Sequence, residues 1–125
     1  MIELEGIDHV ALAVRDARRS AEWYVEVLDF EPRHEGMWDG VPLFVGKGTT
    51  ALALFPISST KSAPPAHGAR FLHLAFRTHR KGFESAQREL NHRGIAFRFE
   101  DHAISHSIYF ADPDGHALEI TTYDV

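Results

Sequence analysis

His9, His73 and Glu119 are the residues whose types and placing most favour metal chemistry in this sequence. His9 opens the run His9-Val10-Ala11-Leu12, and His73 opens the similar run His73-Leu74-Ala75-Phe76 in the second half of the chain. Glu119 lies in Ala117-Leu118-Glu119-Ile120, close to the end. There are nine histidines in 125 residues and no cysteine, so a bound metal must be held by nitrogen and oxygen donors. Two neutral imidazoles with one carboxylate suit Fe2+, Mn2+ or a similar ion, with Zn2+ and Ni2+ as alternatives. At six-coordination such a set leaves roughly three positions open, enough for a bidentate oxygen ligand and one further small molecule. A single strand histidine is more often a hydrogen-bonded structural residue than a ligand. The matched placing of two shifts that balance toward ligation.

Strands must carry these groups. Gly6 to Val14 reads as a strand, and Asp16 can cap a following helix with Ala17, Ala21, Tyr24, Val25 and Leu28 at helical spacing. Strands are expected over Phe30 to Trp38, Pro42 to Lys47 and Thr50 to Phe55, with turns at Asp39-Gly40 and Gly48-Thr49. Pro56 to Gly68 has no periodicity and reads as a connector or an active-site flap. The order then repeats, with a strand at Arg70 to Arg77 and a helix from about His79 to His92 that Gly94 ends. Strands follow at Ile95 to Phe99, Ser107 to Ala111 and Ala117 to Tyr123. The chain reads βαβββ twice, an α+β pattern.

Alternation along a strand puts residues two apart on one face. Val10, Leu12 and Val14 oppose His9, Ala11 and Ala13, while Leu72, Leu74 and Phe76 oppose His73, Ala75 and Arg77. Leu118 and Ile120 oppose Ala117, Glu119, Thr121 and Tyr123, and Ile108 and Phe110 oppose Ser107, Tyr109 and Ala111. Each strand therefore has a large apolar face for a helix and a smaller, more polar face carrying a ligand candidate. A buried, unpaired carboxylate is costly, and a cation would compensate it.

The bulk numbers fit one domain over residues 1–125, with a first module at 1–57, a loop at 58–68 and a second module at 69–125. A formal charge of -5 with scattered arginines argues against a nucleic-acid partner. Charged residues and histidines interrupt every apolar run before bilayer-spanning length, so no membrane partner is expected. The acidic start lacks the order of a signal peptide, which makes the cytoplasm the expected location.

The doubled pattern, together with Asp8-His9-Val10-Ala11-Leu12, Phe71-Leu72-His73-Leu74-Ala75-Phe76 and Ile108-Tyr109-Phe110-Ala111-Asp112-Pro113-Asp114-Gly115-His116-Ala117-Leu118-Glu119, resembles the vicinal oxygen chelate superfamily. That superfamily is also called the glyoxalase/bleomycin resistance/dioxygenase superfamily. The resemblance implies two βαβββ modules forming an eight-stranded, cup-shaped mixed sheet with the helices outside, usually in a homodimer. It implies a divalent ion on His9, His73 and Glu119, and a small-molecule substrate chelated through vicinal oxygens.

The branches of the superfamily match unevenly. Glyoxalase-type isomerases and lyases carry a fourth ligand in the fourth strand, where this chain has Ala53. Fosfomycin-resistance enzymes share Ser107 and Tyr109, but carry a threonine where Ala11 stands and an arginine beyond the end of this chain. Bleomycin-binding members lack the metal ligands. Extradiol dioxygenases share all three ligands and Tyr109, which makes dioxygenase-like chemistry the best match. Their two acid/base histidines would fall near Ser58-Ser59 and at about Glu100, leaving His67 and His102 as the candidates in this chain. His106 should face the helix side, and His34, His79 and His92 read as surface residues. Phe44, Trp38, Met37 and Phe55 are candidates for an apolar substrate pocket or for core. A non-catalytic protein that binds an antibiotic or aromatic compound is the remaining alternative.

Overall fold

The structure is a computed structural model that describes residues 1–61 and 66–125. Residues 62–65, within the expected connector, lie outside that description. The chain forms two compact units, Met1–Ala63 and Pro64–Val125. Each follows the βαβββ order, as the periodicity predicts.

In the first unit β1 (Val10–Val14) leads into α1 (Ala17–Leu28), then β2 (Glu31–Arg33), β3 (Leu43–Lys47) and β4 (Thr50–Pro56). Asp16 caps α1 as expected, its Oδ1 accepting from the Arg19 amide at 3.1 Å. Asp29 ends the helix in the left-handed region at φ 58°. The sheet order is β1-β4-β3-β2, with β1 parallel to β4 and the other pairs antiparallel. α1 packs across β2, β3 and β4. Val14, Tyr24, Phe30, Val45, Leu52 and Leu54 are buried.

The second unit repeats this with β5 (Leu74–Arg77), α2 (Arg80–His92), β6 (Arg98–Asp101), β7 (His106–Ala111) and β8 (Ala117–Thr122). Its sheet order is β5-β8-β7-β6, with β5 parallel to β8. Phe83, Leu90, Ile108, Phe110, Leu118 and Ile120 are buried. Between β7 and β8, Asp112 Oδ1 accepts from the amides of Asp114 and His116, each at 2.9 Å. Gly115 supplies the positive φ of 86° that closes the turn. The Asp-Pro-Asp-Gly run therefore has a mechanical role: it sends β8 back so that Glu119 pairs with Tyr109.

Several boundaries differ from the sequence reading. β1 and β5 begin at Val10 and Leu74, so His9 and His73 stand one residue before their strands. The ladders to β4 and β8 start there, and a strand needs a partner as well as an alternating pattern. The strand expected over Phe30 to Trp38 is confined to Glu31–Arg33, because left-handed backbone at His34 and Gly36 turns the chain away. Trp38–Gly40 forms a 3-10 turn. β6 starts at Arg98 instead of Ile95. His79, read as a plain surface residue, caps α2 by accepting the Gly82 amide on Nδ1 at 3.0 Å.

Candidate metal centre

The parallel pairing of β5 with β8 sets Ala75 opposite Glu119 and brings His73, just upstream, to the carboxylate. His73 Nε2 lies 2.9 Å from Glu119 Oε1. Glu119 is only 7% exposed, and its other oxygen accepts from Ser107 Oγ at 2.6 Å. Ser107 Oγ is also 3.1 Å from Thr121 Oγ1. An imidazole and a hydroxyl thus compensate a carboxylate that burial would otherwise disfavour. The spacing also suits a cation. Two donors at about 2.1 Å from one ion and at a right angle to each other lie about 3 Å apart.

His9 belongs to the first unit. Its Nδ1 lies 2.8 Å from Asp8 Oδ2. A carboxylate on one ring nitrogen fixes the tautomer and leaves the other nitrogen's lone pair for a ligand. Asp8 is a residue whose part the sequence reading missed; its only signal was adjacency to His9. The His9 ring stands 5.2 Å from Phe44, which also meets His34 and Trp38 at 5.0 and 5.5 Å between ring centres. Met37 and Trp38 are each 52% exposed, so they belong to this surface and not to the core. A cavity of about 340 Å³ lies between α1 and the segment that follows it, with Val25, Met37, Pro42, Leu43, Phe44 and Val45 in its walls. Among the described residues, no three His, Asp or Glu side chains gather into a cation-sized cluster.

Tyr109 shares the polar face of the second unit. Its ring centre is 5.8 Å from that of His73, and its hydroxyl is 3.0 Å from His102 Nε2. The turn after β6 therefore brings His102 onto this face. Burial pushes the Tyr109 phenol above its ordinary range, helped by the charges of Glu119 and Glu100. His106 turns the other way, onto Phe99 and Phe83 of the helix side, as alternation predicts. His67 is exposed in a 3-10 turn at Ala66–Gly68, with left-handed backbone at φ 59°. Ala53, at the position of the fourth ligand in glyoxalases, pairs with Ala11 and Phe44 and offers no donor.

Comparison with known proteins agrees with this architecture. The profile of the Glyoxalase/Bleomycin resistance protein/Dioxygenase superfamily matches residues 6–120. The glutathione transferase FosA of Serratia marcescens is 27% identical over 94% of this chain and 80% of its own length. The catechol-2,3-dioxygenase of Bacillus subtilis is 28% identical over 91% of this chain, which spans only 40% of that protein. Among solved structures, a glyoxylase/bleomycin resistance protein/dioxygenase domain from Frankia superposes with a TM-score of 0.74 at 26% identity, covering 96% of this chain and 93% of the other. With the repeated βαβββ units and a family profile spanning nearly the whole sequence, the chain belongs to the glyoxalase/bleomycin resistance protein/dioxygenase superfamily.

Proposed function

We propose that the protein is a cytoplasmic metal-dependent enzyme in which His9, His73 and Glu119 hold a divalent ion, Fe2+ or Mn2+ by preference. Its substrate is a small molecule that chelates through vicinal oxygens, and the chemistry is dioxygenase-like. The observation that carries this reading is the buried Glu119 carboxylate with His73 Nε2 at 2.9 Å, a nitrogen and an oxygen donor at the spacing one ion requires. When bound, such an ion supplies Lewis acidity and a template for the reacting groups.

The chain's own residues supply the rest. Ser107 anchors Glu119 Oε2 and so orients the oxygen that faces His73. Tyr109 keeps its proton at neutral pH and can donate it to a substrate oxygen. His102 is the acid/base partner in contact with that hydroxyl. His67, exposed in its turn, is the second candidate base. Phe44 and Trp38, on the surface that also carries His9, give an aromatic ring something to pack against.

A second reading is favoured by one observation, the likeness to FosA over 94% of the chain. It is transfer of glutathione to a small molecule. One panel separates the two. Protein loaded with Fe2+ without oxygen, then given catechols and air, should consume oxygen and form a yellow ring-opened product. Consumption of glutathione and fosfomycin in the Mn2+-loaded protein, with no oxygen uptake on catechols, would replace the first reading with the second.

A further inference from the structure

The polar face of the second unit carries a closed circuit of four side chains. Arg98 Nε lies 3.1 Å from Glu100 Oε1. Glu100 Oε2 lies 3.5 Å from His102 Nε2, and the same ring nitrogen is 3.0 Å from the Tyr109 hydroxyl. The Arg98 guanidinium sits 4.6 Å from the centre of the Tyr109 ring and completes the loop. The β6–β7 register pairs Arg98 with Tyr109 and Glu100 with Ser107, which puts all of them on the Glu119 side of the sheet.

Two oxygens share one histidine nitrogen here, and that constrains where its proton sits. An ionised carboxylate can only accept. If Nε2 carried a bare lone pair, it would face Glu100 as acceptor against acceptor. If Nε2 carries the hydrogen, the carboxylate attracts it and the Tyr109 oxygen receives it. At 3.5 Å the carboxylate acts through its charge more than as a hydrogen-bond partner. Glu100 and His102 are about two-fifths exposed, so solvent weakens that pull. The two neutral imidazole tautomers are close in energy, and a weak pull is enough to choose between them. Arg98 holds the other carboxylate oxygen and keeps Glu100 turned toward the ring.

The direction of this bond decides what Tyr109 can do. An oxygen that accepts from His102 retains its own hydrogen for another partner on the face it shares with Ser107 and Glu119. A hydroxyl that donated to His102 would have spent that hydrogen.

We infer that Glu100 is a positioning residue: acting through His102, it directs the hydrogen bond toward Tyr109 and leaves the phenol free to serve as a proton donor on the Glu119 side. The use of that donor rests on the function proposed above, whereas the bond direction does not.

The test is therefore made first on the full-length chain without added metal. Long-range proton–nitrogen correlation spectra, recorded above the imidazole titration range and assigned with H102Q, report the His102 tautomer. The hydrogen should sit on Nε2 in the wild type and in E100D, and E100A should shift the population toward Nδ1. Finding Nδ1–H in the wild type, or an unchanged Nε2–H in E100A, overturns the inference whatever the enzyme turns out to catalyse. On a substrate that the protein turns over, E100A should lower kcat by about tenfold or more with little change in KM, part of the roughly 10²–10⁴-fold that general acid catalysis contributes, and E100D should recover some of it. Equal loss of kcat in E100A and E100D, or loss confined to KM, also counts against it.

Discussion

Tyr109 and Asp8 are the single residues on which the proposed chemistry leans beyond the ligands themselves. The Tyr109 phenol is raised first by burial, then by the negative charges of Glu119 and Glu100. A raised acid favours the neutral form in the folded state. Below the ordinary phenol value of about 10 both folded and unfolded chains are neutral, and no stability is lost. As pH rises through the raised value, the unfolded chain ionises first and the fold weakens. A tyrosinate absorbance titration of the wild type should show a late transition that is missing from Y109F. Its appearance at or below the ordinary value would contradict the burial argument. Asp8, on the Nδ1 of His9 at 2.8 Å, should act through that ring. D8N should weaken divalent-metal affinity by about 10–100-fold, the usual range for such outer partners, in a competition titration with a metal-sensitive dye.

At the scale of elements, the helices and strands differ in how much of them local sequence determines. α1 starts where Asp16 can cap it, and the turn at Asp112 to Gly115 follows from residues within the turn itself. Those features are legible because cause and effect are neighbours. The strand ends are not. Val10 and Leu74 open their strands because Leu52 and Leu118 are there to pair with them, and alternation alone cannot show where a partner begins. Facing was legible once a strand was assigned, which is why His106 lies with Phe83 and Ser107 with Glu119. Glu100 and His102 converge only because β6 runs from Arg98 to Asp101, a register the apolar pattern misplaced. The α1 core has one weakness: among the described residues, the Ser20 hydroxyl is buried with no hydrogen-bond partner. S20A removes that orphan and adds helix propensity, so it should be neutral or stabilise by about 1 kcal/mol. L90A empties a fully buried site in α2 and should destabilise by about 2–5 kcal/mol. Urea unfolding of the two variants checks both signs, and a destabilised S20A would mean the hydroxyl has a partner after all.

For the molecule as a whole, β1 and β5 each form an edge of their own sheet. The segments leading into them expose Ile7 at 79%, Phe71 at 98% and Leu72 at 68%. Exposed apolar residues beside terminal strands favour association, and we propose that they are covered in a homodimer. Sedimentation equilibrium should find twice the chain mass, with F71D/L72D shifting the protein to monomer; a wild-type monomer would contradict it. No helix among the described residues is long and apolar enough to cross a membrane. The proposed function requires His9, His73 and Glu119 to hold one ion. Equilibrium dialysis against Mn2+, followed by metal analysis, tests it most directly. The wild type should retain one ion per chain, and H9A, H73A and E119Q should each lose it while keeping wild-type circular dichroism. A wild type that retains no ion, or an H9A variant that binds as tightly as the wild type, would contradict the account.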